Sequence, residues 1–360
     1  MTNVRPLHVL STLVVACLAC SREHHDSAPS PAPTPAPSPA SAPPAPLPSG
    51  LHVYVSNEGS GDVTVIDGAT ARAVATFPVG KRPRGIQRSP DGKRVYVALS
   101  GTPASGPGAK EAPGPTDPSA HAIGVIDATT LAVVDRLPGG SDPEQLALSV
   151  DGAKLYVANE DSATASVVDV ATRHIDATLK VGEEPEGVGA SADGKWVYVT
   201  CEATGTVEVV DAHAGKVIKE LAVGGRPRSA AFLPDGSKAY VTQENGGTVT
   251  VVSLPDHVVA KTIKLDGRPM GLAVAPDGKT VFVTTGRGGT VAVIDAASDA
   301  VTGTIKVGDR PWGIAITPDG RTLYVANGPS DDVSVIDAAS RKETARVKVG
   351  TRPWGVAIVP

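Results

Sequence analysis

The sequence predicts an all-β protein, a seven-bladed β-propeller of four-stranded antiparallel blades spanning residues 51–360. Three observations predict it. A unit of 42 residues, cleanest from Arg310 to Thr351, recurs with drift along the chain. Each copy carries short β-branched runs separated by turn residues; one such sheet cannot bury its faces alone, so the copies must stack. Finally, the repeats begin at Leu51 in the second strand of the unit and finish at Pro360 after a first strand, so the two ends complete one blade.

Taken in order, residues 1–19 read as an export signal. Arg5 precedes an apolar run from Leu7 to Ala19, too short to cross a bilayer. Small residues before Cys20 resemble the lipobox of bacterial lipoproteins, in which the thiol takes a diacylglyceryl group. Cys17 is the alternative register, and plain cleavage without lipid is the third reading. Cys201 has no cysteine partner outside this segment, so the fold is expected to need no disulfide.

Residues 20–50 form a linker in which Pro alternates with Ala, Ser or Thr from Ser27 onward. Proline fixes φ and removes donors, so polyproline II is expected. A stalk of roughly 30 residues at about 3.1 Å each reaches up to about 90 Å. The expected localisation is the cell envelope, with a lipid anchor holding the protein to a membrane.

Within the unit, Gly313 to Ile316 is strand A, and Pro318-Asp319-Gly320 makes a hairpin turn. Strand B is Leu323 to Ala326, strand C is Val333 to Asp337, and strand D is Glu343 to Val349. The Asp-Gly turn occurs six times, at Asp91, Asp151, Asp193, Asp235, Asp277 and Asp319, whereas B and C strands each number seven. The missing turn is accounted for if the last A strand joins the first B-C-D set. Such a three-plus-one closure removes exposed strand edges.

Tyr-Val-Ser-Asn at 54–57 and Tyr-Val-Ala-Asn at 156–159 and 324–327 resemble the YVTN-type propeller repeat, with Arg-Pro-x-Gly, Pro-Asp-Gly and Val-x-Val-Ile-Asp around them. The resemblance covers residues 51–360. It implies a bacterial or archaeal envelope propeller, distantly related to lactonase-type and haem-binding nitrite-reductase propellers, and fold alone transfers neither activity.

Alternating strand direction places the D–A and B–C loops on one face. The residue after the loop proline varies around that rim: Arg84, Glu144, Glu186, Arg228, Met270, Trp312 and Trp354. Closure makes Trp354 a neighbour of Trp312 and Arg84. Exposed aromatics beside Arg mark recognition surfaces; the opposing reading is that the Trp rings cover the channel mouth while Arg and Glu pair between loops. Blade two carries Ile86-Gln87-Arg88 where other A strands have small residues, so Arg88 is either a polar mark in the channel or a locally satisfied Arg. Blade two also has a Gly/Pro-rich insertion across residues 100–120, expected to be mobile.

The net charge of −5 and the lack of a basic stripe exclude nucleic acid as an expected partner. The strand-C aspartates, such as Asp127, are too dispersed for a metal array and suit Asx turns instead. No metal or cofactor is expected. The leading reading is a monomeric, envelope-tethered, non-enzymatic propeller that binds a protein or small ligand at its rim. A lactonase-like hydrolase with Glu144 or Glu186 as base, and Arg84 or Arg228 as anion binder, is the alternative. A haem propeller, with His121 or Met270 as rim ligand, is the third.

Overall fold

The computed structural model describes Leu47, residues 49–103 and residues 115–360. Cys17, Cys20, nearly all of the linker and residues 104–114 of the insertion lie outside the described residues.

The described chain forms seven four-stranded antiparallel sheets arranged as predicted. Blade one contains β1 (His52–Asn57), β2 (Asp62–Asp67) and β3 (Arg72–Pro78). Blade two is β4 (Ile86–Arg88), β5 (Arg94–Leu99), β6 (Ala122–Asp127) and β7 (Val133–Leu137). Blade three is β8 (Pro143–Leu148), β9 (Lys154–Asn159), β10 (Thr164–Asp169) and β11 (His174–Lys180). Blade four is β12 (Pro185–Ala190), β13 (Trp196–Cys201), β14 (Thr206–Asp211) and β15 (Lys216–Ala222). Blade five is β16 (Pro227–Phe232), β17 (Lys238–Gln243), β18 (Thr248–Ser253) and β19 (Val258–Lys264). Blade six is β20 (Pro269–Val274), β21 (Thr280–Thr285), β22 (Thr290–Asp295) and β23 (Ala300–Lys306). Blade seven is β24 (Pro311–Ile316), β25 (Thr322–Asn327), β26 (Asp332–Asp337) and β27 (Lys342–Lys348). The last strand, β28 (Pro353–Val359), pairs with β1 as strand A of blade one, with Val53 opposite Ile358 and Val55 opposite Val356.

Turn chemistry fixes the blades. In each Asp-Gly turn the carboxylate accepts from the N–H two residues on, as Asp319 does from Arg321 at 3.0 Å, and the glycine is left-handed, as Gly320 is at φ 72°. The strand-C aspartates make the predicted Asx turns: Asp67 accepts from the N–H of Thr70 at 2.7 Å, and Asp337 from that of Ser340 at 2.7 Å. A register shift interrupts every C–D pair at the same place, at Val65/Ile66 in blade one and Val335/Ile336 in blade seven, and such bulges increase local twist.

The core lies between blades. Tyr54, Tyr198, Tyr240 and Tyr324 at the centres of B strands are fully buried. The Tyr54 hydroxyl donates to the Ala128 carbonyl of the next blade at 2.8 Å, and Tyr156 to that of Ala212 at 3.2 Å. Near the axis the strands approach closely: a Cβ on Gly189 would lie 2.2 Å from the Ala230 carbonyl oxygen. That contact accounts for the small residues at Ala147, Ala231, Ala273, Ala315 and Ala357 in the same strand position.

Candidate functional site

Every D–A loop reaches the mouth through the same backbone device. The residue before the loop proline is left-handed in all seven: Arg82, Asp142, Glu184, Arg226, Arg268, Arg310 and Arg352, with φ between 41° and 61°. A non-glycine residue there is strained by about 1–2 kcal/mol. A hydrogen bond holds the turn: its carbonyl accepts from the N–H of the residue after strand B of the same blade. Examples are Glu58 to Arg352 at 3.0 Å, Glu202 to Glu184 at 2.8 Å and Gly286 to Arg268 at 2.8 Å. Blade two departs, with Ser100 donating to Lys81 instead. Each mouth position is therefore built from two loops, one before strand A and one after strand B.

The rim residues Arg84, Glu144, Glu186 and Arg228 come together in one buried ionic network. Arg84 pairs with Glu144 and, at 3.1 Å, with Glu186; Glu186 in turn meets Arg228 at 3.1 Å. Arg228 pairs with Glu202, which also takes Arg226, and Glu244 takes Arg268 at 3.1 Å. On the other side Glu58 receives Arg82 at 3.4 Å and Arg352 at 3.0 Å. The side chain of Glu144 has no solvent exposure and that of Glu186 only 4%. Carboxylates so enclosed are held ionised only by their guanidiniums. Burial opposes the charge on Glu186, yet Arg228 and Arg84 hold its pKa below the ordinary glutamate range.

The aromatic residues join the same network. The Arg84 guanidinium lies over the Trp354 ring at 4.9 Å, and Arg352 lies over Trp312 at 5.5 Å. Trp312 and Met270 are buried, laid over the glycines that follow strand B in their own blades: a Cβ on Gly328 would meet the Trp312 ring at 2.6 Å, and one on Gly286 would meet Met270 Cγ at 3.1 Å. Arg84, Glu186, Arg228 and both tryptophans thus meet at one mouth, and Glu144 sits behind Arg84.

Sequence reasoning missed half of this mouth. Glu58, Glu160, Glu202 and Glu244 all occupy the position after strand B, and three of them are network members. The signal was a Glu after Tyr-Val-x-x in four blades, replaced by Gly286 and Gly328 where Met270 and Trp312 stand. Glu160 has another character: burial, then Glu186, push its carboxyl up to about 7. Its oxygen lies within 4.8 Å of those of Asp142 and Glu144. Arg82 and Arg84 already supply positive charge to Asp142 and Glu144, so this acidic group is poorly arranged for a cation.

Below the mouth a small cavity of about 40 Å³ touches Met270, Trp312 and Trp354. It shares Gln145, Ser229 and Trp354 with an axial channel of about 250 Å³. Gln87 lines that channel; Arg88 is not among its lining residues. The Arg88 guanidinium donates to the Ser89 and Pro90 carbonyls at 3.1 Å, on the A–B turn side, because strand alternation gives Gln87 the axial position opposite Tyr96. His121 lies beside the rim, where its Nδ1 accepts from the N–H groups of Gly101 and Asp142 at 3.3 and 3.2 Å. The described root of the insertion docks there too, through Lys81 with Asp117 at 2.7 Å and Thr102 with Asp161 at 3.1 Å.

A family model of YNCE-like β-propellers matches residues 161–319. No curated protein matches the chain in sequence. Among solved structures, a chain of Kuenenia stuttgartiensis hydrazine synthase is 23% identical, with a TM-score of 0.66, covering 76% of this chain and 89% of its own. A candidate 6-phosphogluconolactonase of Bacteroides fragilis is 20% identical, with a TM-score of 0.68 and coverage of 86% and 98%. A functionally unknown protein of Desulfotomaculum acetoxidans is 16% identical, with a TM-score of 0.71 and coverage of 85% and 98%. At these identities the likeness is one of fold. The chain is a β-propeller repeat protein, similar over residues 161–319 to the YNCE-like propellers.

Proposed function

We propose that the protein is an exported, envelope-tethered binding propeller that takes a partner protein or small ligand at the mouth formed by its D–A and B–C loops. The observation that carries the reading is the state of the mouth carboxylates. Glu144 and Glu186, the bases a hydrolase would use here, are buried against Arg84 and Arg228. Such pairing shields both carboxylates from solvent and from a substrate, which suits a rigid recognition surface better than proton transfer. The tether rests on the apolar run ahead of Cys20 and on the proline-rich stretch that follows. Envelope cross-linking and pull-down test the reading, with Trp312→Ala and Trp354→Ala proteins checked for folding by circular dichroism. A partner captured by the wild type and lost from the variants is expected; equal capture by all would remove the mouth from the proposal. Metabolic labelling with a fatty acid, abolished by Cys20→Ser, tests the anchor, and label lost only from Cys17→Ser would move its site.

One observation favours hydrolysis as a second reading. Glu160, with its carboxyl raised to about 7, makes no ion pair within hydrogen-bonding range among the described residues, and a group poised near neutrality suits acid–base work. Turnover of a lactone panel that disappears in Glu160→Gln would support it; no turnover by the wild type would leave the binding role alone.

A further inference from the structure

In three blades the charges of the mouth are paired by one rule, and after blade six the arginine of that rule is present without its carboxylate. A Glu after strand B of one blade meets the Arg before the loop proline of the next: Glu58 with Arg82, Glu202 with Arg226, and Glu244 with Arg268. At the next step around the ring the Arg is Arg310, but the residue after strand B of blade six is Gly286. Arg310 accordingly makes no ion pair among the described residues, and its Nε is buried without a hydrogen-bond partner. The neighbouring B–C loop adds Arg287, exposed and likewise without an ion pair among the described residues. The carboxylate of this sector, Glu244, is shared among Arg268, Arg226 and Arg228 at 3.1, 3.7 and 3.9 Å.

The same glycine substitutions change the shape. Without side chains at positions 286 and 328, Met270 and Trp312 lie flat against the B–C loops, forming an apolar wall beside the cavity that Arg228 and Trp354 also line. A partly buried guanidinium left unpaired costs free energy that a ligand anion recovers. Its planar fork of donors suits carboxylate and phosphate oxygens. We infer that the sector of blades six and seven binds an organic anion, with its carboxylate or phosphate on Arg310, flanked by Arg268 and Arg287, and its apolar body against Met270 and Trp312. Burial lowers the Arg310 basicity, Glu244 opposes this, and the nearby Arg268, Arg287 and Arg228 add to the lowering. This inference rests on the binding reading above and supplies its ligand class.

Calorimetric titration of the full chain with benzoate, phenyl phosphate and neutral phenol tests it. Saturable binding of at least one anion, and none of phenol, is expected. Arg310→Gln should weaken the bound anion by about tenfold or more, since a hydrogen bond to a charged group is lost. Gly286→Glu should do the same by supplying the missing carboxylate, with a small shift of the flexible Met270 to admit it. Arg287→Gln, at an exposed position that leaves the fold intact, should weaken binding by a smaller factor. Undiminished affinity in both Arg310→Gln and Gly286→Glu would overturn the inference. Envelope partner capture by a wild type that binds neither anion would overturn the anion site and leave the binding role standing. Anion binding without any captured partner would support the site and count against a protein partner.

Discussion

The guanidinium of Arg84 rests 4.9 Å from the centre of the Trp354 ring, between the loop entering blade two and the last strand of the chain in blade one. The same guanidinium neutralises Glu144 and Glu186. One side chain therefore links blades one, two, three and four. Arg84→Ala would leave two buried carboxylates short of their counter-charge. Loss of a partner from a buried pair costs about 3–5 kcal/mol, so the unfolding free energy from urea titration should fall by that amount. A loss under about 1 kcal/mol would mean that water replaces the guanidinium and the network is structurally dispensable.

Glu160 gives the mouth a pH response of defined sign. Its carboxyl is raised from the ordinary value to about 7 in the folded chain. The unfolded chain thus holds fewer protons between about pH 4.5 and 7, and stability from this group is present below the lower value and lost as pH rises through 7. At about 1.4 kcal/mol per pH unit the full effect is at most about 3.5 kcal/mol. Glu160→Gln keeps the neutral shape, so it should melt higher than wild type at pH 8 and match it near pH 4. Thermal unfolding at the two pH values checks this, and equal melting at pH 8 would show Glu160 to be solvated.

Gly328 is predicted to tolerate no side chain. An added Cβ would meet the Trp312 ring at 2.6 Å, so Gly328→Ala must displace the indole. Overpacking of this kind costs about 1–3 kcal/mol. The tryptophan emission maximum should move to the red as Trp312 gains water, and an unchanged spectrum would argue that the ring has room to spare.

Closure through β28 is directly testable. Its ladder covers β1 from His52 to Asn57, all buried. A chain ending at Thr351 would expose that strand as an open edge. Aggregation or a large fall in melting temperature is expected, with recovery when a peptide of residues 352–360 is added in excess. A truncated chain as stable and monomeric as the full one would show that the blade does not depend on its fourth strand.

Much of the fold was legible because turn residues carry their own geometry. Asp-Gly at six places, a centred Tyr or Phe in each B strand, and the offset between first and last units specify blade number and closure without any distant contact. The mouth was only half legible. Arg84, Glu144, Glu186, Arg228, Met270, Trp312 and Trp354 stand after a proline that marks their loop, and strand direction puts them on one face. Glu58, Glu202 and Glu244 follow strand B with no such mark, and each pairs with an arginine of the next blade, so their role depends on stacking rather than local pattern. Arg88 shows the other failure: one residue of strand phase separates the axis from the turn, and Gln87 holds the axial place.

The seven left-handed residues ahead of the loop prolines make the mouth interchangeable in a way the strands are not. Each loop arrives at the axis along the same backbone path whatever side chain follows the proline. Recognition can then drift by single substitutions, blade by blade, along an unchanged backbone path, with a cost in stability where a buried ion pair such as Arg84–Glu186 is broken. In an engineered setting the seven positions after the prolines form a combinatorial alphabet, provided that charged residues are exchanged together with their partners.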